Sequence, residues 1–108
     1  QGDPKHRVSC LNMLAQAFLA IDWVDEAIGT FRDALKAHKM PDDDLGMELR
    51  YGLLRSLEAK GEQENDLTAA EEAYQLASSI AIQNISFRDI RERRDSIKQL
   101  LTRLRKAG

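Results

Sequence analysis

The feature that most limits what this chain can fold into is the spacing of its apolar residues. They recur every three or four positions in five separate runs and nowhere alternate long enough to make a strand. The first run, Leu11, Leu14, Ala15, Phe18 and Ile21, follows Asp3-Pro4, an N-cap residue with proline at the first helical position. The second is Ala27, Ile28, Phe31, Ala34 and Leu35, ending before Pro41; Asp22 stands ready to cap it, and Asp25 and Glu26 fall where the helix dipole favours carboxylates.

After the break Met40 to Asp44, a third run holds Leu45, Leu49, Leu53, Leu54 and Leu57, with Gly61 as the expected stop and Glu62 to Asp66 as a loop. The fourth carries Ala70, Ala73, Tyr74, Ala77, Ile80 and Ala81 on one face, with Thr68 and Glu71 spaced as a capping box. The fifth, opened by Ser86 and Asp89, is the stripe Phe87, Ile90, Ile97, Leu100, Leu101 and Leu104, flanked by arginines and lysines. Short links between amphipathic helices make successive helices antiparallel, so an all-α fold of stacked hairpins or a compact bundle is expected. With 108 residues the chain holds one domain, spanning 3–108, because two cores of about 50 residues would each bury too little surface.

Charge is distributed unevenly along this pattern. Residues 1–84 hold 8 Lys and Arg against 15 Asp and Glu, and residues 85–108 hold 8 against 3, so the two parts carry −7 and +5. Such a split either docks the last helix on the acidic body or attracts an acidic partner from outside. The longest uncharged runs, Val8 to Ile21 and Ala73 to Phe87, contain Asn, Gln and Ser and fall short of the roughly 20 apolar residues that cross a bilayer. No secretory leader pattern opens the sequence, and Gln1-Gly2 reads as the remnant of a cleavage site on a piece of a longer protein. The single Cys10 stands among apolar neighbours, where a thiol behaves as a small buried hydrophobe, and a reducing, cytoplasmic setting is expected.

Leu14 and Ala15, then Phe18, then Ala27, Phe31 and Ala34 stand at the spacing of packing residues in the tetratricopeptide repeat, and residues 3–40 resemble one copy of it. Residues 42–84 resemble a second, divergent copy, with Leu53, Leu57 and Gly61 before the break and Ala70, Tyr74 and Ala77 after it. Here Leu54 replaces the usual small residue, and about four extra residues separate Gly61 from Ala70. Ile85 to Arg93 is similar to the aromatic-Arg-Asp-aliphatic stretch that follows the last repeat in many bacterial members, making 86–106 a basic capping helix. The resemblance implies antiparallel hairpins stacked as a superhelix of about two repeats plus a cap, with small Ala27 and Ala34 admitting a close neighbour and Phe31 filling the gap toward the next repeat. A generic helical bundle is the alternative.

Catalysis needs converging groups, and no motif supplies them. His6 and His38 stand far apart, no Cys-x-x-Cys or His-x-x-x-His spacing occurs, and Ser9 and Cys10 have no base placed by motif. Asp42-Asp43-Asp44 lacks the alternating acids and terminal Glu of a calcium hand and reads as a carboxylate-rich helix start. Glycine-rich phosphate loops are absent. The chain is therefore expected not to be an enzyme and to need no cofactor or metal.

In the resembled family the first helix of each hairpin lines a concave groove for peptide ligands. Carried over by position, the resemblance implies a partner-binding surface of Asn12, Gln16 and Leu19 from the first helix with Glu48, Tyr51, Arg55 and Glu58 from the third. Amides would pair with a peptide backbone, Tyr51 would stack on an apolar anchor, and Arg55 would grip a carboxylate in bidentate fashion. The lysine-rich clamp with which some relatives hold a chaperone's terminal carboxylate is not reproduced. The expected role is a scaffold or adaptor that binds a protein segment.

Two other readings share the same residues. Arg88, Arg91, Lys98 and Arg105 form a basic stripe suited to nucleic acid or an anionic membrane surface, against which stand the net charge of −2 and the intrahelical partners Asp89 with Arg93 and Arg91 with Asp95. Alternatively the apolar ends of so short a stack are completed by flanking repeats or by self-association, with Trp23 or helix one as the contact.

Overall fold

The computed structural model describes residues 4–107, and among them it contains five α-helices and no strand. They are α1 (Pro4–Ala20), α2 (Val24–Ala37), α3 (Asp44–Glu64), α4 (Leu67–Gln83) and α5 (Ile90–Ala107). Asp3, the expected cap of α1, lies outside the described residues. Each helix packs on the next in sequence, and in addition α1 touches α3 and α3 touches α5. The odd-numbered helices thus share one side of an elongated body measuring 50 × 28 × 19 Å, and Arg32 of α2 reaches Glu72 of α4 across the other.

Why the chain turns where it does departs in three places from the sequence expectation. Asp22 does not cap α2. Its φ of 65° puts it in the left-handed region, and its N–H bonds the Leu19 carbonyl (3.0 Å) while that of Trp23 bonds the Phe18 carbonyl (2.9 Å), which closes the end of α1. The apolar contact that usually accompanies this ending is the stack of Phe18 on Trp23, with centroids 5.8 Å apart. Position Trp23 then begins α2 with no side-chain cap, and the Asp22 carboxylate accepts from Gln63 Nε2 at 2.8 Å.

Gly61 does not end α3, which continues to Glu64, and Asn65 takes the left-handed position instead with φ 52°. The glycine is spent on packing: a β-carbon there would lie 3.1 Å from Ala70 Cβ and 3.3 Å from Leu100, where α3, α4 and α5 converge. The cap of α4 is Asp66, which accepts from the Ala69 N–H at 3.0 Å, and Thr68 is an exposed residue inside the helix. Nor does α5 open at Ser86. Residues 84–89 lie outside any helix, the Ile90 N–H bonds the Phe87 carbonyl at 3.0 Å, and Asp89 directly precedes α5.

Asp43, within the acidic break, caps α3 by accepting from the Gly46 N–H at 2.7 Å and also meets His38 Nε2 at 2.8 Å. Nearby Arg50, a residue the apolar pattern did not single out, is buried and donates to the Pro41 carbonyl (3.2 Å), Gln83 (2.7 Å) and Ser79. One guanidinium therefore ties the α2–α3 loop to the last turn of α4.

The core runs through all five helices. Ala15, Ala27, Phe31 and Ala34 are wholly buried, as are Ala70, Ala73 and Ala77 on α4. Phe31 projects from α2 onto Gly52 of α3 so closely that a β-carbon at 52 would overlap its ring. Gly52, not an alanine or leucine, is thus what admits the aromatic ring between the two hairpins. Tyr74 is only half buried, beneath the Arg94 guanidinium at 5.1 Å. Three residues assigned to the core from sequence face solvent: Cys10 is exposed, Leu14 is 46% exposed and Ile21 57%. The reason is that α1 is apolar on two sides, and its neighbours cover the side holding Val8, Leu11, Ala15 and Phe18.

Phe31→Ala should cost about 3–5 kcal/mol of stability through lost burial and the cavity left behind. Gly52→Ala should cost about 1–3 kcal/mol by overpacking the same joint from the other side. Urea unfolding followed by circular dichroism checks both, and near-wild-type midpoints would show that this joint does not hold the hairpins together.

Candidate protein-binding face

The seven residues expected to line a groove do lie on α1 and α3, the two helices that touch on the odd-numbered side, but they meet different fates. On α1, Gln16 donates to Asn12 Oδ1 at 3.3 Å, and both amides are partly exposed. Leu19, Arg55 and Glu58 come together with Ala59, Glu62 and Arg93 around an open depression of about 260 Å³. Arg55 is exposed and, among the described residues, makes no hydrogen bond or ion pair, so its five donors are available to a ligand.

Tyr51 is a correction. Its side chain was expected to stack on a partner's anchor, yet it is 9% exposed and its hydroxyl donates to Asp89. Phe87 meets the ring edge-on at 5.7 Å, and the guanidiniums of Arg88 and Arg93 lie 5.7 and 5.5 Å from its centroid. Glu58 is paired with Arg93, and Glu48 with Arg88, whose φ of 45° is an uncommon backbone state for a residue with a side chain. The segment Phe87 to Arg93 therefore covers the α3 positions Glu48, Tyr51 and Glu58 from within the chain.

Arg93 is the hub of this docking. Its Nη2 donates to Asp89 Oδ2 at 3.0 Å, its Nε to the Tyr51 hydroxyl at 3.1 Å and its Nη1 to Glu58. Partial burial works against its charge, but the hydrogen bonds to Asp89 and Glu58 outweigh that and hold its pKa above the ordinary value. Burial likewise opposes ionisation of Asp89, and the hydrogen bonds from Tyr51 and Arg93 reverse the balance, leaving its pKa lowered. Burial, then the bond to Asp89, raises the Tyr51 phenol.

The basic stripe is correspondingly reduced. Arg88 is spent on Glu48, and Arg105 meets Glu71 at 3.3 Å. The expected Asp89–Arg93 pair forms, the Arg91–Asp95 pair does not, and Arg91 and Lys98 are left exposed. Of the two outcomes open to the charge split, docking of the basic helix on the acidic body is the one seen, through ion pairs from Arg88, Arg93 and Arg105 to Glu48, Glu58 and Glu71. His38 is engaged with Asp43, and His6 Nε2 lies 3.6 Å from Cys10 Sγ one turn away. No helix among the described residues is long and apolar enough to cross a membrane.

No family model, curated protein or solved structure matches this chain.

Because the folded Asp89 carboxyl titrates below its ordinary value, its contribution is complete above about pH 4 and is lost as pH falls through the lowered folded value. Asp89→Asn should therefore be less stable than wild type at neutral pH, and the gap should close as both are acidified below about pH 4. Urea midpoints across that range measure it; a gap independent of pH would mean that the carboxylate's charge does not hold α5.

Proposed function

We propose that this chain is a tetratricopeptide-like interaction module, two helical hairpins closed by α5, which binds an extended peptide or protein segment along the side shared by α1 and α3. The order of packing supports that reading, since each helix meets its sequence neighbour and the odd-numbered helices also touch one another. So does the seat of Phe31 between the hairpins. The role is that of a scaffold or adaptor, without chemistry of its own.

The observation that carries the proposal is the state of Arg55. A guanidinium left exposed beside Leu19, within a depression rimmed by Glu58 and Glu62, offers a carboxylate-gripping fork next to a small apolar step. Asn12 and Gln16 extend the surface with amide donors and acceptors suited to a peptide backbone. Tyr51, Glu48 and Glu58 belong instead to the closure by α5, so the open part of the face is Asn12, Gln16, Leu19 and Arg55.

Peptides selected on the chain from a random library should shift the backbone resonances of Asn12, Gln16, Leu19 and Arg55. Arg55→Ala should keep full helicity and bind those peptides about tenfold more weakly, equivalent to roughly 1.4 kcal/mol. Tyr51→Ala should instead lower the unfolding midpoint. Peptides that map elsewhere, or that bind Arg55→Ala unchanged, would refute the assignment of this face.

A further inference from the structure

The two ends of the helix stack differ in a way the proposed peptide face does not use. At one end the outer surface of α5 is polar, with Arg91, Glu92, Asp95, Lys98 and Arg103 all exposed. At the other end α1 carries no charged residue between Val8 and its end at Ala20, and its outward side is apolar. Cys10, Leu14, Ala17 and Ile21 recur there at intervals of four, three and four, the spacing of a helix seam, and every one of them is exposed. Met13 is 71% exposed beside them, and Trp23 is 54% exposed at the end of the stripe. A stack of hairpins needs a polar outer face at each end, and this one has it at α5 alone.

We propose that this stripe is a homodimer interface, in which α1 of one copy packs antiparallel against α1 of a second copy about a two-fold axis. Charge selects a second copy in that orientation. The first turns of α1 carry Arg7, exposed in line with Cys10 and Leu14, whereas the start of α2, beside the end of α1, carries exposed Glu26; Lys5 instead lies by Asp43, Asp25 pairs with Lys60 and Asp22 accepts from Gln63 within the chain. Antiparallel pairing sets the basic end of each helix beside the acidic end of its mate, twice over by symmetry, and parallel pairing would set like against like. Size selects the register. Leu14 opposite Ala17 of the second copy places large against small at the centre, and it brings Cys10 level with Ile21 of the second copy. The two Cys10 residues are then roughly 16 Å apart along the helix axis and out of disulfide reach.

The interface lies on the outward side of α1, whereas the peptide face lies toward α3, so either assignment can fail without the other. Light scattering on the chain from low micromolar to about 1 mM should show a mass that rises from one copy to two and no further. Met13→Glu and Leu14→Glu should each hold it monomeric with an unchanged circular dichroism spectrum. Arg7→Glu should weaken the dimer about tenfold, and combining it with Glu26→Arg should restore it. On oxidation, Ile21→Cys should give a disulfide-linked dimer through Cys10, and the wild type should give none. The proposal is overturned by a single-copy mass at about 1 mM, which leaves the face to some other occupant, or by a mass that grows past two copies. A dimer indifferent to Met13→Glu, or ready Cys10–Cys10 oxidation of the wild type, which the proposed register keeps out of reach, would overturn it equally.

Discussion

The contact on which the remaining geometry depends is the Phe31 ring pressed on the bare backbone of Gly52. Two helices approach no more closely than their side chains permit, and here an aromatic ring enters a place where no side chain stands. That seat sets how α3 lies against the first hairpin, and so how the sides of α1 and α3 come together. Alanines repeat the same device further along: Ala27 and Ala34 on α2 and Ala70, Ala73 and Ala77 on α4 are all wholly buried. Gly61 serves a comparable purpose at the joint of α3, α4 and α5.

Once α3 is placed, electrostatics decides how much of it stays open. The acidic body and the basic last helix neutralise one another through Arg88, Arg93 and Arg105, and the best satisfied of these groups, Arg93, sits where Tyr51, Glu58 and Asp89 converge. A charge-assisted network that is partly shielded from water binds more firmly than the same pairs on an open surface. It engages three positions of the α1–α3 side, Glu48, Tyr51 and Glu58, in closing the fold. What remains open is smaller and more specific in character: an amide pair, one leucine and an unengaged guanidinium.

Helix α1 faces three ways at once. Val8, Ala15 and Phe18 turn toward the core, Asn12, Gln16 and Leu19 lie on or toward the shared side with α3, and Cys10, Leu14, Ala17 and Ile21 look out to water. An amphipathic helix with one apolar stripe needs one neighbour, whereas a helix with two such stripes has surface to spare. The contrast with α5, charged on its outward face, is why the two ends of so short a stack differ in what they can meet.

The sequence by itself determined the number and kind of elements, because apolar periodicity and the residues that stop helices act over one or two turns of chain. The five helices, the break at Pro41 and the acidic start of α3 were legible for that reason. Local chemistry left the turns ambiguous, since Asp22 can cap a helix or end one, and Gly61 can stop a helix or admit a neighbour; each choice was made by what packs nearby, Gln63 in one case and Ala70 with Leu100 in the other. The fates of Tyr51 and Glu58 were likewise beyond reach, because they turn on Asp89 and Arg93, 35 to 42 positions away in the chain. Two apolar stripes on α1 could be counted in the sequence, but only tertiary packing decided that Leu14 and Ile21 would be the ones left facing water. A helix does not carry in its own residues the direction from which its neighbours come.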